Sequence, residues 1–221
     1  MAPVDRTSVA STIDHTLLAP EAVADDVDRL CDAGVELGVA SICVHSRYTT
    51  HTVERLAGRL PVASVIGFPS GAHRSDVKAY EAGSAVADGA RELDMVVALG
   101  AVLDGRWAAV AADVSAVRAV APVGVVLKVI VESAVLDEPT LRRVCEVAVD
   151  AGADYVKTST GFHPSGGATL DAVRIMRDTV GPDIGVKASG GIRDAQTAVA
   201  MLEAGASRIG ASSTATILDG L

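Results

Sequence analysis

Three of the four lysines in this sequence interrupt short apolar runs of the kind that form β-strands. The three are Lys128, Lys157 and Lys187. An ammonium buried in a strand is costly unless it is paired or loses its proton. An amine that has lost its proton is a nucleophile. These positions therefore predict covalent chemistry through a lysine, whereas Lys78 lies on a polar run with helical character.

Alternation of side chains along a strand predicts the face on which these lysines lie. If the bulky apolar residues of each strand pack against helices, all three lysines point the other way. In residues 92–98, Asp94 shares that face, opposite Leu93 and Met95. We therefore predict that Asp94 and the three lysines form one interior group.

A buried salt bridge to Asp94 would explain a single interior lysine without catalysis. One aspartate cannot balance three lysines, however, and excess positive charge in an apolar interior lowers lysine pKa values. A lowered pKa makes an amine nucleophilic near neutral pH. We therefore favour catalysis over a purely structural ion pair.

The elements that must position these residues follow a regular alternation. Strand-like runs occupy residues 11–16, 39–45, 62–67, 92–98, 125–132, 154–159, 184–189 and 208–211. Alanine-rich runs with apolar residues at helical spacing, such as Val110, Val114 and Val117, lie between them. Eight strand–helix units predict a parallel sheet, and 221 residues suit a single α/β domain over 1–221, a (β/α)8 TIM barrel.

A doubly wound open sheet is the alternative fold. It is disfavoured because no GxGxxG motif follows the first strand. In a barrel, Lys157 and Lys187 lie toward the carboxyl ends of their strands, where barrel enzymes hold their catalytic residues.

Glycine-rich turns follow the seventh and eighth predicted strands. Gly190 and Gly191 precede one helix, and Gly210, Ser212 and Ser213 precede the last. Backbone N–H groups in such turns bind phosphate, and these two loops are the usual phosphate site of barrels. A tight turn alone would also explain the Gly-Gly pair, but the matching turn in the next unit favours phosphate.

Three polar residues in the first two strands are ambiguous. Asp14 and Thr16 could contact a substrate hydroxyl or form a polar pair at the barrel mouth. Cys43 faces inward with Ser41, either as a small core thiol or as a substrate contact.

Composition excludes several classes of function. The formal net charge of −9 argues against a nucleic-acid partner, although a local positive site could still take an anionic substrate. No apolar run is long enough to predict a membrane span.

The first six residues lack a signal pattern, so a cytoplasmic location is expected. Three widely spaced cysteines indicate free thiols, and the histidines lack metal-ligand spacing.

Six motifs together resemble the deoxyribose-phosphate aldolase family. They are IDHT at 13–16, LDMV at 93–96, LKVI at 127–130, VKTSTGF at 156–162, VKASGGI at 186–192 and GASS at 210–213. The resemblance spans nearly the whole chain. It implies a class I aldolase, without metal or other cofactor, that reversibly cleaves 2-deoxy-D-ribose 5-phosphate to acetaldehyde and D-glyceraldehyde 3-phosphate.

The resemblance also implies a role for each site residue. Lys157 would form the Schiff base, Lys187 would lower its pKa, and Lys187 and Asp94 would relay protons. By the same resemblance the phosphate would lie at Gly190, Gly191, Ser212 and Ser213. The full set of candidate substrate and phosphate contacts is Asp14, Thr16, Cys43, Lys128, Thr158, Gly161, Gly190, Gly191, Gly210, Ser212 and Ser213, with electrostatic support as the alternative role of Lys128. One departure is that the loop 162–167 has no lysine to help hold phosphate.

The expected partners are small sugar-phosphate and aldehyde substrates. A homodimer is a candidate assembly, since barrel enzymes often pair through helix faces. Two other functions stay open: another Schiff-base barrel aldolase or transaldolase, and a barrel that binds a sugar phosphate without catalysis. A screen of donor substrates separates the first, and the absence of an imine would identify the second.

Overall fold

Eight parallel strands close into a barrel in the order of the sequence, with β8 paired to β1. The computed structural model describes residues 5–221. The strands are β1 (Ile13–Leu17), β2 (Ser41–His45), β3 (Val62–Ile66), β4 (Glu92–Val96), β5 (Val126–Ile130), β6 (Tyr155–Lys157), β7 (Gly185–Ser189) and β8 (Arg208–Ala211). The prediction of a (β/α)8 barrel is confirmed.

Helices connect successive strands on the outside of the barrel. They are α1 (Arg6–Ala10), α2 (Ala24–Leu37), α3 (Thr49–Leu56), α4 (Ser75–Ala87), α5 (Leu99–Leu103), α6 (Trp107–Val120), α7 (Glu138–Asp150), α8 (Leu170–Val180), α9 (Ala195–Glu203) and α10 (Thr214–Asp219). Helix α7 begins after Asp137, whose carboxylate accepts from the Thr140 N–H, and Asp194 caps α9 through the Thr197 N–H. Such caps satisfy backbone donors that have no partner within the helix.

The strands begin and end within three residues of their predicted bounds. The shortest is β6, which ends at Lys157, whereas the sequence predicted residues 154–159. Beyond Lys157 the hydroxyl of Thr158 donates to the Ser189 carbonyl oxygen and accepts from the Ser189 N–H. These bonds hold the carboxyl ends of β6 and β7 together after the regular ladder has ended.

The barrel interior has an apolar part and a charged part. Cys43, Ala63 and Val65 from β2 and β3 pack there with Leu18 and Phe68. The remaining strands carry charged residues at their interior positions. The outward faces of the strands join the main core beneath the helices, as Leu93 and Met95 do. The charged residues of the interior therefore lie on the side away from β2 and β3.

No helix within residues 5–221 is long and apolar enough to cross a membrane. The expectation of a cytoplasmic location rests partly on residues 1–4, which lie outside the described residues.

Candidate active site

Asp94 brings the three interior lysines together. Its Oδ2 atom accepts from Lys157 Nζ at 2.7 Å and from Lys187 Nζ at 2.7 Å. Its Oδ1 atom accepts from Lys128 Nζ at 2.8 Å. The strand register explains the cluster, because Asp94 pairs with Lys128 and Lys157 pairs with Lys187 across neighbouring strands. The interior group predicted from alternation is therefore present.

Two further carboxylates and an arginine complete the charged interior. Asp14 Oδ2 lies 3.1 Å from Lys128 Nζ and also accepts from Lys187. Glu92 Oε2 lies 2.5 Å from Lys128 Nζ, and Arg208 Nη1 donates to Asp14 Oδ1 at 2.6 Å. The expectation that one aspartate faces three lysines is wrong, because four basic side chains meet three carboxylates.

The lysines differ in how strongly they hold their protons. Burial lowers the pKa of Lys157; Asp94 opposes this, and the charge of Lys187 adds to it. Burial also lowers the pKa of Lys187, but Asp14 and Asp94 outweigh it and raise that pKa above its ordinary value. The pKa of Lys128 is raised in the same way by its carboxylate neighbours, chiefly Asp14 and Asp94.

The expectation that excess positive charge lowers every interior lysine pKa is therefore wrong for Lys128 and Lys187. Asp14 and Glu92 supply the carboxylates that the sequence argument left out. Burial raises the pKa of Asp94, but the three lysines more than offset it and hold that pKa far below its usual range. Asp94 is therefore ionised beside the amine of Lys157.

A cavity of about 440 Å³ opens above this cluster at the carboxyl ends of the strands. Lys157 contributes to its wall, whereas Lys128 and Lys187 do not. The other walls come from the loops that follow β1, β6, β7 and β8. A molecule in the cavity meets the Lys157 amine before any other interior lysine.

Seven of the sequence-predicted site residues line the cavity. They are Thr16, Lys157, Gly161, Gly190, Gly191, Gly210 and Ser212. The glycines come from the loops after β6 and β7 and from β8, so the cavity is bounded largely by backbone on that side. This is the wall on which the sequence predicted a phosphate site.

The other predicted residues lie behind the wall or beneath the cavity. Asp14 and Lys128 are fully buried in the ion-pair cluster, and Asp94 and Lys187 lie with them. Cys43 is fully buried in the apolar part of the interior, where burial raises the pKa of its thiol. Thr158 joins the ends of β6 and β7 as described above, and Ser213 is the N-cap residue of α10.

Two of the cavity glycines lie where a side chain would collide with neighbouring atoms. A Cβ on Gly190, whose φ is +88°, would lie 2.9 Å from Gly167 Cα. A Cβ on Gly210 would lie 3.1 Å from Lys187 Cε. A Cβ on Gly210 would also lie 2.9 Å from Ser189 Cβ. Because real Cβ atoms essentially never come within 3.0 Å of other atoms, Gly190 lets two cavity loops touch and Gly210 leaves room for Ser189 and Lys187.

Sequence reasoning missed four residues around the site. Glu92 shares the strand parity of Asp94, and Arg208 shares that of Gly210, so alternation contained the signal for both. Arg193 lines the cavity as an exposed cation on the loop after β7. Lys78 is fully buried, and its Nζ donates to Asp113 at 2.7 Å and to the Val96 carbonyl oxygen at 2.8 Å. The helical character predicted around Lys78 is confirmed by α4, but its side chain is buried and ties α4 to α6 and to the end of β4.

No group of three or more His, Cys, Asp or Glu side chains within residues 5–221 is arranged to hold a metal ion. The chemistry available to the cavity from these residues is that of an amine, a shared carboxylate and backbone N–H groups.

Comparison with known proteins places the chain among aldolases. A family model described as "DeoC/LacD family aldolase" matches residues 3–219. Proteins named deoxyribose-phosphate aldolase from Kocuria rhizophila and Mycobacterium avium are 52% and 57% identical to this chain, over 99% and 98% of both sequences. A solved tetrameric deoxyribose phosphate aldolase from Aeropyrum pernix is 38% identical, with a TM-score of 0.87 over 96% of this chain and 89% of that one. With relatives this similar over the whole barrel, the chain belongs to the DeoC/LacD family of aldolases.

Proposed function

We propose that this protein is a class I aldolase that reversibly cleaves 2-deoxy-D-ribose 5-phosphate to acetaldehyde and D-glyceraldehyde 3-phosphate. The names of its relatives support the substrate. The site supports a mechanism through a Schiff base on Lys157. The observation that carries the mechanism is that Lys157 alone among the interior lysines both lines the cavity and has a lowered pKa.

Cleavage begins when the neutral amine of Lys157 attacks the aldehyde carbon of the open-chain sugar and water leaves. The resulting iminium ion accepts the electron pair of the bond between carbons 2 and 3 as the hydroxyl on carbon 3 loses its proton. D-Glyceraldehyde 3-phosphate departs, and an enamine of acetaldehyde stays on Lys157. Protonation of the enamine carbon and hydrolysis of the iminium release acetaldehyde and restore the amine.

Asp94 and Lys187 are suited to move the protons of these steps. Asp94 Oδ2 lies 2.7 Å from both Lys157 Nζ and Lys187 Nζ, so one oxygen bridges the two amines. A raised pKa keeps Lys187 protonated, and it can act as the acid. A carboxylate that contacts both groups provides a path from the ammonium to the reacting atoms, directly or through one water.

The phosphate would lie against the glycine-rich wall. Gly190, Gly191 and Ser212 border the cavity there, and their backbone N–H groups and the Ser212 hydroxyl would donate to the phosphate. Arg193 is the cation at the same wall, and it would supply the charge that the lysine-free loop 162–167 does not. Guanidinium groups pair with phosphate through two parallel hydrogen bonds.

A donor screen tests this proposal against the other candidate functions. The protein is incubated with D-glyceraldehyde 3-phosphate and either acetaldehyde or a ketone donor, and products are identified by mass spectrometry. We expect 2-deoxyribose 5-phosphate from acetaldehyde and little product from ketones. Preference for a ketone would favour a different Schiff-base aldolase, and phosphate-dependent stabilisation without any product would favour a binding protein.

Three features beyond the chemistry are part of the same proposal. Residues 1–221 form one catalytic domain, the chain assembles as a homodimer, and it works in the cytoplasm without a nucleic-acid or membrane partner. The acidic net charge of −9 supports the last point. Light scattering on the purified protein tests the assembly, and a mass equal to one chain would contradict it.

A further inference from the structure

Glu92 and Arg208 lie beneath the predicted catalytic residues and do not line the cavity. Arg208 Nη1 lies 2.6 Å from Asp14 Oδ1 and 3.5 Å from Glu92 Oε1. Its guanidinium carbon lies 5.7 Å from the centre of the Tyr155 ring. The side chains of Arg208 and Glu92 are 15% and 7% exposed, so their charges act across a largely dry interior.

The cations of the interior share its carboxylates unequally. Lys128 contacts all three carboxylates, Lys187 contacts Asp14 and Asp94, and Lys157 contacts Asp94 alone. Arg208 holds Asp14 Oδ1, so Lys128 and Lys187 share only the other oxygen of Asp14. Lys128 and Lys187 therefore also pair with Asp94, the one carboxylate that contacts Lys157.

We propose that Glu92 and Arg208 are positioning residues that set how much of the Asp94 charge is left to hold a proton on Lys157. Arg208 withdraws Asp14 from the lysines and weakens the hold on that proton. Glu92 is in ionic contact with Lys128 and strengthens the hold by leaving more of the Asp94 charge to Lys157. The two residues act in opposite directions on an amine that neither contacts.

Charge counting gives the same signs. The interior holds four basic side chains and three carboxylates, so it is balanced when Lys157 is neutral. Loss of Arg208 would balance the interior with Lys157 charged. Loss of the Glu92 charge would leave an excess cation even with Lys157 neutral. The direction of each effect follows from Coulomb's law in a medium of low dielectric constant.

Other charged and titratable groups lie in the barrel interior or at the cavity rim, around Lys157 and the two residues of the proposal. They are Asp14 on β1, Cys43 on β2, Asp94 on β4, Lys128 on β5, Tyr155 on β6, Lys187 on β7, and Glu21 and Arg193 at the rim. These groups are unchanged in the variants below, so a difference in the titration of Lys157 between variants is due to the change at Glu92 or Arg208.

Nuclear magnetic resonance of lysine labelled with carbon-13 at Cε measures the titration of Lys157 directly. The chain has four lysines and all are buried, so no surface lysines obscure the signals. The signal lost in Lys157→Leu assigns the residue. We expect Arg208→Gln to raise the pKa of Lys157 by about one unit and Glu92→Gln to lower it by about one unit.

Two controls separate charge from packing. Arg208→Lys keeps the cation and is expected to titrate close to the native protein, and the double variant Glu92→Gln/Arg208→Gln is expected to return near the native pKa. Arg143→Gln, on the exposed surface of α7, removes an arginine elsewhere and should leave the titration unchanged. A purely structural role would not produce shifts of opposite sign that cancel.

The proposal is overturned if both single variants titrate as the native protein does, or if both shift in the same direction. If Arg208→Gln does not fold, as judged by thermal denaturation, the downward shift in Glu92→Gln decides alone. One consequence of the inference rests on the proposed function: the pH dependence of imine formation should shift together with the pKa of Lys157. Titration of the free protein needs no substrate, so failure of the aldolase assay would leave this result standing.

Discussion

At the residue scale, the pairing of one carboxylate oxygen distinguishes Lys157 from Lys187. Asp94 Oδ2 is shared by Lys157 and Lys187, but Lys187 has a second partner in Asp14 and Lys157 has none. The poorer-paired amine holds its proton less tightly and is also the one that lines the cavity. A lowered pKa and access to the cavity therefore coincide at Lys157, as the proposed mechanism requires.

Asp94→Asn separates imine formation from proton transfer. The amide cannot relay protons, so we expect turnover to fall by about 10²- to 10⁴-fold. Since Asp94 also raises the pKa of Lys157, its loss favours the neutral amine. Borohydride trapping of acetaldehyde at pH 7 should therefore persist or increase while turnover collapses.

The control for this variant is Asp171→Asn, whose carboxylate is 87% exposed on α8. Circular dichroism of both proteins checks that the barrel is intact. Full turnover in folded Asp94→Asn would show that the carboxylate does not relay protons.

At the element scale, the loops after β6 and β7 form the wall of the cavity as a unit. Their backbones touch at Gly167 and Gly190, and the Ala168 N–H donates to the Gly190 carbonyl oxygen at 3.1 Å. Phe162 packs its ring edge-on to Phe68, with ring centres 5.2 Å apart, which joins the β6 loop to the loop after β3. The loop after β7, which carries Arg193, therefore packs against the β6 loop, and the β6 loop packs in turn against the loop after β3.

Arg193→Gln tests the proposed phosphate wall. Hydrogen bonds to charged groups contribute about 1.5–3 kcal/mol, so KM for 2-deoxyribose 5-phosphate should rise about tenfold or more. KM for unphosphorylated 2-deoxyribose should change little, because it has no phosphate to lose. Arg174→Gln, an exposed arginine on α8, is the matched control.

Equal effects of Arg193→Gln on the two sugars would contradict a phosphate role for this residue. The salt dependence of KM offers a second reading, since added salt should weaken binding of the phosphorylated sugar less in the variant than in the native protein.

At the scale of the whole molecule, the strand pattern predicted the barrel fold and the central residues of the site. Alternation in β4 to β7 was enough to place Asp94 and the three lysines inside a barrel, because each strand buries one face in the helical layer. It did not identify Asp14, Glu92 and Arg208 as further partners of those charges. Asp14 and Lys187 are 173 residues apart in sequence and meet only because the barrel closes.

Lys78 shows a different limit of sequence reasoning. The polar run around Lys78 predicts a helix but not where the side chain goes, and in α4 it lies inward against Gly67 and reaches Asp113 on α6. A long side chain can cross from a helix to a strand end, and local periodicity does not record where it arrives.

Lys78→Met is expected to destabilise the protein by about 3–5 kcal/mol, because it leaves the Asp113 carboxylate buried without its cation. Chemical denaturation measures this as a loss of unfolding free energy. Arg174→Gln, which removes an exposed charge, should cost less than about 1 kcal/mol. Equal stability of the Lys78 variant and the native protein would mean that the pair is not needed to hold α4 and α6 on the barrel.

The most direct test of the account is to trap the imine and locate it. The protein is incubated with acetaldehyde and borohydride, digested and mapped by mass spectrometry. We predict an ethyl group on the peptide that contains Lys157, none on those that contain Lys128 or Lys187, and no adduct in Lys157→Leu. An adduct on another lysine, or none in protein that turns over substrate, would contradict the assignment of Lys157 as the nucleophile.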